Sequence, residues 1–110
     1  MKDVEWSYDD FIAFVMIYAA YADFKIVEEE KDVIVDEIGL DRYIEIYRFF
    51  RKNRDAENVS IIVDLKQKYI VTDEQQDELF EYVNKIIQAD GVVNLLESQM
   101  KDTLNFLFEN

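Results

Sequence analysis

Ile86-Ile87-Gln88-Ala89-Asp90-Gly91-Val92-Val93-Asn94-Leu95-Leu96-Glu97-Ser98-Gln99-Met100 is the stretch from which the fold can be read. Apolar-periodic, helix-forming sequence runs into Asp90-Gly91. Gly91 can take the left-handed conformation that closes a helix end at no steric cost. Val93 is β-branched and suits an extended link. Asn94 is a good N-cap, and Glu97 falls at N3, the reciprocal position of a capping box. Asp90 can fold its carboxylate onto loop amides. The spacing therefore predicts a helix, a tight corner and a second helix, with an acid on each side.

The same arrangement occurs 67 residues earlier, in Tyr21-Ala22-Asp23-Phe24-Lys25-Ile26-Val27-Glu28-Glu29-Glu30. Glu30 follows Asp23 by seven residues, as Glu97 follows Asp90. Ala22 matches Ala89, and Ile26 matches Val93. Phe24 stands where the later copy has Gly, and Val27 where it has the capping Asn. The first corner must turn without glycine and without a side-chain cap.

Between and around these corners the pattern is helical. Ser7 with Asp10 reads as a capping box opening a helix over about 8–23, apolar around most of its circumference, as a central core helix is. A second helix is expected over 28–38, with Val33, Ile34 and Ile38 inward and Gly39 as its stop. Asp41 reads as the cap of a third helix over 42–53, with Tyr43, Ile44, Tyr47 and Phe50 at helical spacing. A fourth is expected over 56–69, burying Val59, Ile62, Leu65 or the stem of Lys66, and Tyr69. Its run Ile61-Ile62-Val63 could suit a strand, but length and spacing favour a helix. Thr72 and Gln75 form a capping box before a fifth helix over 73–89, with Leu79, Phe80, Val83, Ile86 and Ile87 inward. A sixth is expected over 95–108, with Leu96, Met100, Leu104 and Leu107 inward. The expected fold is all-α, a compact bundle of about six helices with two pseudo-repeated helix–loop–helix units, in one domain over residues 1–110.

Composition agrees. Half of the 110 residues are hydrophobic, Gly occurs twice and Pro never, which leaves few turn residues for a β-fold. Cys and His are absent, which excludes disulfides, thiol and imidazole chemistry, and Cys/His zinc or copper sites. Any bound metal would be hard and oxygen-ligated: calcium, magnesium or manganese.

Net charge is −13 and unevenly spread. Residues 1–39 hold 11 acids and 3 bases, residues 40–71 hold 5 and 7, and residues 72–110 hold 9 and 2. Such a surface repels a phosphate backbone, so no nucleic-acid partner is expected, and a basic protein or metal cations are the natural complements. Arg48, Arg51, Lys52 and Arg54 make the basic cluster. They sit where a helix C-terminus favours cations, or they meet an anionic partner. Asp9-Asp10 precedes the apolar run 11–22, which is too short to span a bilayer, and the opening does not read as a signal peptide. The expectation is a cytoplasmic chain with no direct membrane insertion.

The unit Ala89-Asp90-Gly91-Val92-Val93-Asn94-Leu95-Leu96-Glu97, with its weaker counterpart Ala22 to Glu30, resembles the signature of the tellurite-resistance TerB family. The resemblance implies an all-α, internally pseudo-symmetric domain associated with stress-response and membrane-linked protein complexes and not established as an enzyme. It also implies that Asp23, Glu30, Asp90 and Glu97 match acidic positions thought to bind a divalent cation. The unit is not an EF-hand loop, which needs an acid eleven residues after its first Asp. Here those positions are Ile34 and Lys101.

The residues alone leave two roles for these acids. An acid at a helix C-terminus, as at Asp90, calls for a cation or an amide partner. Glu97, at a helix N-terminus, is already balanced by free amides. Three functions follow as expectations. The first is a non-enzymatic TerB-like binding or scaffold module, with or without a divalent cation, acting in a stress-response assembly. The second is a small acidic inhibitor or immunity-type protein that masks a basic partner. An enzyme is the least supported. Without His or Cys only acid pairs, Lys or Tyr remain for acid/base work.

Overall fold

Eleven consecutive residues, Asp10 to Ala20, are buried, and everything else is arranged around them. They belong to α1, Tyr8–Ala20, in a computed structural model that describes residues 6–21, 26–89, 99 and 102–106. The remaining helices are α2 (Glu28–Ile38), α3 (Leu40–Lys52), α4 (Asp55–Tyr69) and α5 (Asp73–Gln88). Residues 102–106 are also helical and are termed α6. There is no strand among the described residues. The protein is an all-α bundle of about six helices, as the periodicity predicts.

Sequence explains why α1 is the axle. Phe11, Ala13, Phe14, Val15, Met16, Ile17, Ala19 and Ala20 are fully buried, so beyond its first turn α1 has no side left for water. It packs against α2, α3, α4 and α5, and α2 also contacts α3 and α5. Burying each large apolar side chain stabilises the fold by about 1.5–3 kcal/mol. Each neighbour contributes a stripe: Ile34 from α2, Tyr43, Ile46 and Phe50 from α3, Ile61, Ile62 and Leu65 from α4, and Leu79, Val83, Ile86 and Ile87 from α5. Leu104 of α6 is also fully buried. Met100, Leu96 and Leu107 lie outside the described residues.

The helix starts follow the caps. Ser7 accepts from the Asp10 amide and Asp10 accepts from the Ser7 amide. Thr72 and Gln75 do the same at α5. Gly39 has φ +86°, a conformation side-chain-bearing residues rarely adopt, and it joins α2 to α3 with no further linker.

Three details differ from the sequence reading. Asp41 does not cap α3. Gly39 occupies the cap position, and Asp41 sits in the first turn. The glycine's left-handed φ lets α2 end and α3 begin at one residue, which leaves no room for a separate capping side chain. α1 ends at Ala20 rather than near Asp23, because Tyr21 turns out of α-geometry. In α4, Val59 and Tyr69 are only partly buried, and the buried set shifts to Asn58, Ile61, Ile62 and Leu65.

The candidate corners and the charged faces

Residues 22–25 of the first corner lie outside the described residues, and the described residues flanking it are not α-helical. α1 stops before it, Val27 is extended at φ −81° and ψ 164°, and α2 begins at Glu28. Val has no acceptor to offer the helix amides. Only the return half of a capping box is possible, and Glu30 supplies it: its Oε1 accepts from the Val27 amide at 3.1 Å. Glu30 is 3% exposed, and its other carboxylate oxygen has no hydrogen-bond donor among the described residues.

Of the other three acids of the repeated unit, Asp23, Asp90 and Glu97 all lie outside the described residues, as do Gly91 and Asn94. Glu30 is therefore the one that can be placed. No group of three or more acids that could hold a metal ion occurs among the described residues. The fit of a divalent cation thus rests on Glu30: a buried carboxylate, half engaged by a backbone amide and chemically a hard oxygen donor.

Beside this corner α3 presents an aromatic wall. Tyr43 and Tyr47 stack with ring centroids 5.6 Å apart, and Tyr21 meets Tyr47 and Phe50 edge-on. Burial, Tyr47 and the carboxylates of Glu28 and Glu30 push the Tyr43 hydroxyl up to about 12. The Arg51 guanidinium lies 5.3 Å from the Tyr21 ring centre and 5.7 Å from that of Tyr47, and it donates to the Tyr47 hydroxyl at 3.0 Å. Among the described residues Arg51 is thus held by rings rather than by an acid. Arg51 falls four residues after Tyr47, a helical neighbour in the sequence, so this contact could have been found there.

The acids of α2 and α5 are mostly surface residues. α2 carries six acids and one base, and α5 five and one. The two helices meet along a seam. At the seam Tyr82 donates to Glu37 Oε1 at 2.7 Å, and Tyr8 donates to Glu78 Oε1 at 3.3 Å. The hydrogen bond to Glu37, then burial, then the negative charges of Glu37, Glu78 and Asp9 raise the Tyr82 hydroxyl strongly. Three helices therefore bring carboxylates around one phenol.

A second polar feature was missed by the sequence reading. Arg42 of α3 grips Asp10 of α1 with two bonds, Nε to Oδ1 at 2.8 Å and Nη2 to Oδ2 at 2.6 Å. Its Nη1 reaches Glu45 at 2.6 Å. The Arg42 bonds hold the Asp10 carboxyl below its usual range, against the opposing effect of burial. No local spacing links residues 10 and 42; only packing of α3 across the start of α1 does.

A groove of about 760 Å³ runs beside the α3–α4 joint, lined by Phe49, Lys52, Asn53, Glu57, Ser60, Ile61 and Asp64. Its walls mix charge of both signs, and the chain has no imidazole to activate Ser60. Among the described residues no helix is long and apolar enough to cross a membrane. No family model, curated protein or solved structure matches the chain significantly.

Proposed function

We propose that this chain is a non-enzymatic, TerB-like binding module whose acid-rich α2–α5 face engages a basic protein within a stress-response assembly. The observation that carries the reading is the charge layout. Eleven of the 25 acids lie on two helices that touch, and Tyr8 and Tyr82 tie two of those carboxylates to the seam. Carboxylates gathered on one side focus the field there and favour encounter with a cationic surface.

The second part of the proposal is that divalent cations bind at the Asp-x6-Glu corners through Asp23, Glu30, Asp90 and Glu97. Its support is the buried Glu30 carboxylate, one oxygen of which has no hydrogen-bond donor among the described residues. Thermal melting in calcium, magnesium or manganese, against sodium chloride of matched ionic strength, tests this part. A gain beyond matched salt that disappears in Glu30→Gln supports it. Equal melting in both salts refutes it, because any salt relieves repulsion in a chain of this charge.

Charge inversion tests the first part. Glu37→Lys with Glu78→Lys alters the seam. Asp55→Lys with Asp64→Lys makes the same change in net charge on α4. Retention of basic proteins from an extract of the native source should fall sharply in the seam pair and persist in the α4 pair. Equal loss in both would reduce the effect to net charge. An acidic inhibitor would use the same face, and is distinguished by a retained protein that is an enzyme or toxin silenced on binding.

A further inference from the structure

We propose that the outer face of α3 is a self-association surface on which a second copy of this chain docks antiparallel about a twofold axis. Leu40 and Ile44 are an i, i+4 apolar pair left 49% and 37% exposed. Beside them, Asp41 and Glu45 occupy the first half of the exposed face, and Arg48 and Arg51 the second. An antiparallel copy sets the acidic half of each helix against the basic half of the other. Leu40 and Ile44 then meet the aliphatic stems of the second copy's Arg48 and Arg51. The same patch is used twice, as twofold symmetry requires.

Charge selects this occupant. Two chains at −13 repel through their α2 and α5 faces. Residues 40–69 are where bases outnumber acids, seven to five, so approach through α3 is not opposed. Arg51 is already fixed by Tyr21 and Tyr47, which lowers the ordering cost of the contact. One thirteen-residue helix is roughly 20 Å long. A pair of such faces falls short of the roughly 800 Å² per partner of a standard interface, so the dimer is weak and concentration-dependent. None of these residues belongs to the α2–α5 seam, and the two proposals fail separately.

Sedimentation equilibrium of the full chain, in a dilution series reaching millimolar concentration at moderate salt, provides the test. The weight-average mass should climb from 13.2 kDa toward twice that value. Ile44→Glu should hold it at the monomer value, with circular dichroism confirming retained helix. Glu45→Lys or Arg48→Glu alone should weaken association about ten-fold or more, because each faces like charge across the axis. An equimolar mixture of those two variants should associate again. A wild-type chain that stays monomeric, association indifferent to Ile44→Glu, or a mixture that stays apart would each overturn the proposal.

Discussion

Arg42 and Asp10 show how one pair of side chains fixes a helix crossing. Asp10 already accepts from the Ser7 amide, so the Arg42 fork completes the satisfaction of a carboxylate that is mostly out of water. Arg42 is partly exposed, which screens the pair below the strength of a fully buried one. Arg42→Ala should lower unfolding free energy by about 1–3 kcal/mol, read by urea denaturation at neutral pH. The pair also sets the acid limb of stability. Asp10 has a folded-state pKa below its unfolded value near 4. Its contribution is present above pH ~4 and is lost as pH falls through the folded value. Below that pH, wild type should lose more stability than Arg42→Ala, and the two curves should converge. No sequence spacing announces this pair, whereas Ser7 with Asp10 and Thr72 with Gln75 are legible because capping is a three-residue affair.

Elements were the legible scale. A helix apolar on every side can only be central, and α1 is. The run Ile61-Ile62-Val63 is helical despite its β-branching, because Asn58, Ile61, Ile62 and Leu65 recur at helical spacing. What the pattern misplaces are cap details, such as Asp41, where a glycine at positive φ overrides the usual capping side chain. Phe14→Ala in α1 should cost about 3–5 kcal/mol, against less than about 0.5 for Val71→Ala at an exposed joint. Gly39→Ala should cost about 1–2 kcal/mol. No atom lies within 4 Å of an added Cβ, so the whole cost is the backbone's positive φ with extended ψ, a region essentially reserved for glycine. Chemical denaturation of the three variants ranks them directly. The pseudo-repeat is legible only as spacing. Glu30 turns back to the Val27 amide as its N3 position requires, and the other three acids of the unit lie outside the described residues.

The molecule as a whole is polarised, with carboxylates collected on α2 and α5 and an excess of bases on α3. That layout is written in the sequence as charge runs. Only the contact of α2 with α5 brings the two runs side by side. Because repulsion is global, added sodium chloride should raise the melting temperature until screening is complete. The alkaline limb belongs to the buried phenols. Burial, then Asp55, pushes Tyr18 up to about 12, and burial with neighbouring Tyr47 does the same for Tyr43. A raised folded-state value means their contribution is intact below pH ~10 and is lost as pH rises toward 12. Ultraviolet titration of tyrosinate should show late-ionising phenols, with unfolding as they ionise.

The acidic seam as the recognition surface is tested most directly by nuclear magnetic resonance. Amide spectra of the full chain would be followed during titration with a short Lys/Arg-rich peptide. The expected result is shifts concentrated on α2 and α5 around Glu37, Glu78 and Tyr82, and suppressed in Glu37→Lys with Glu78→Lys. Shifts centred on α3 and α4, or spread evenly over every exposed carboxylate, would contradict it.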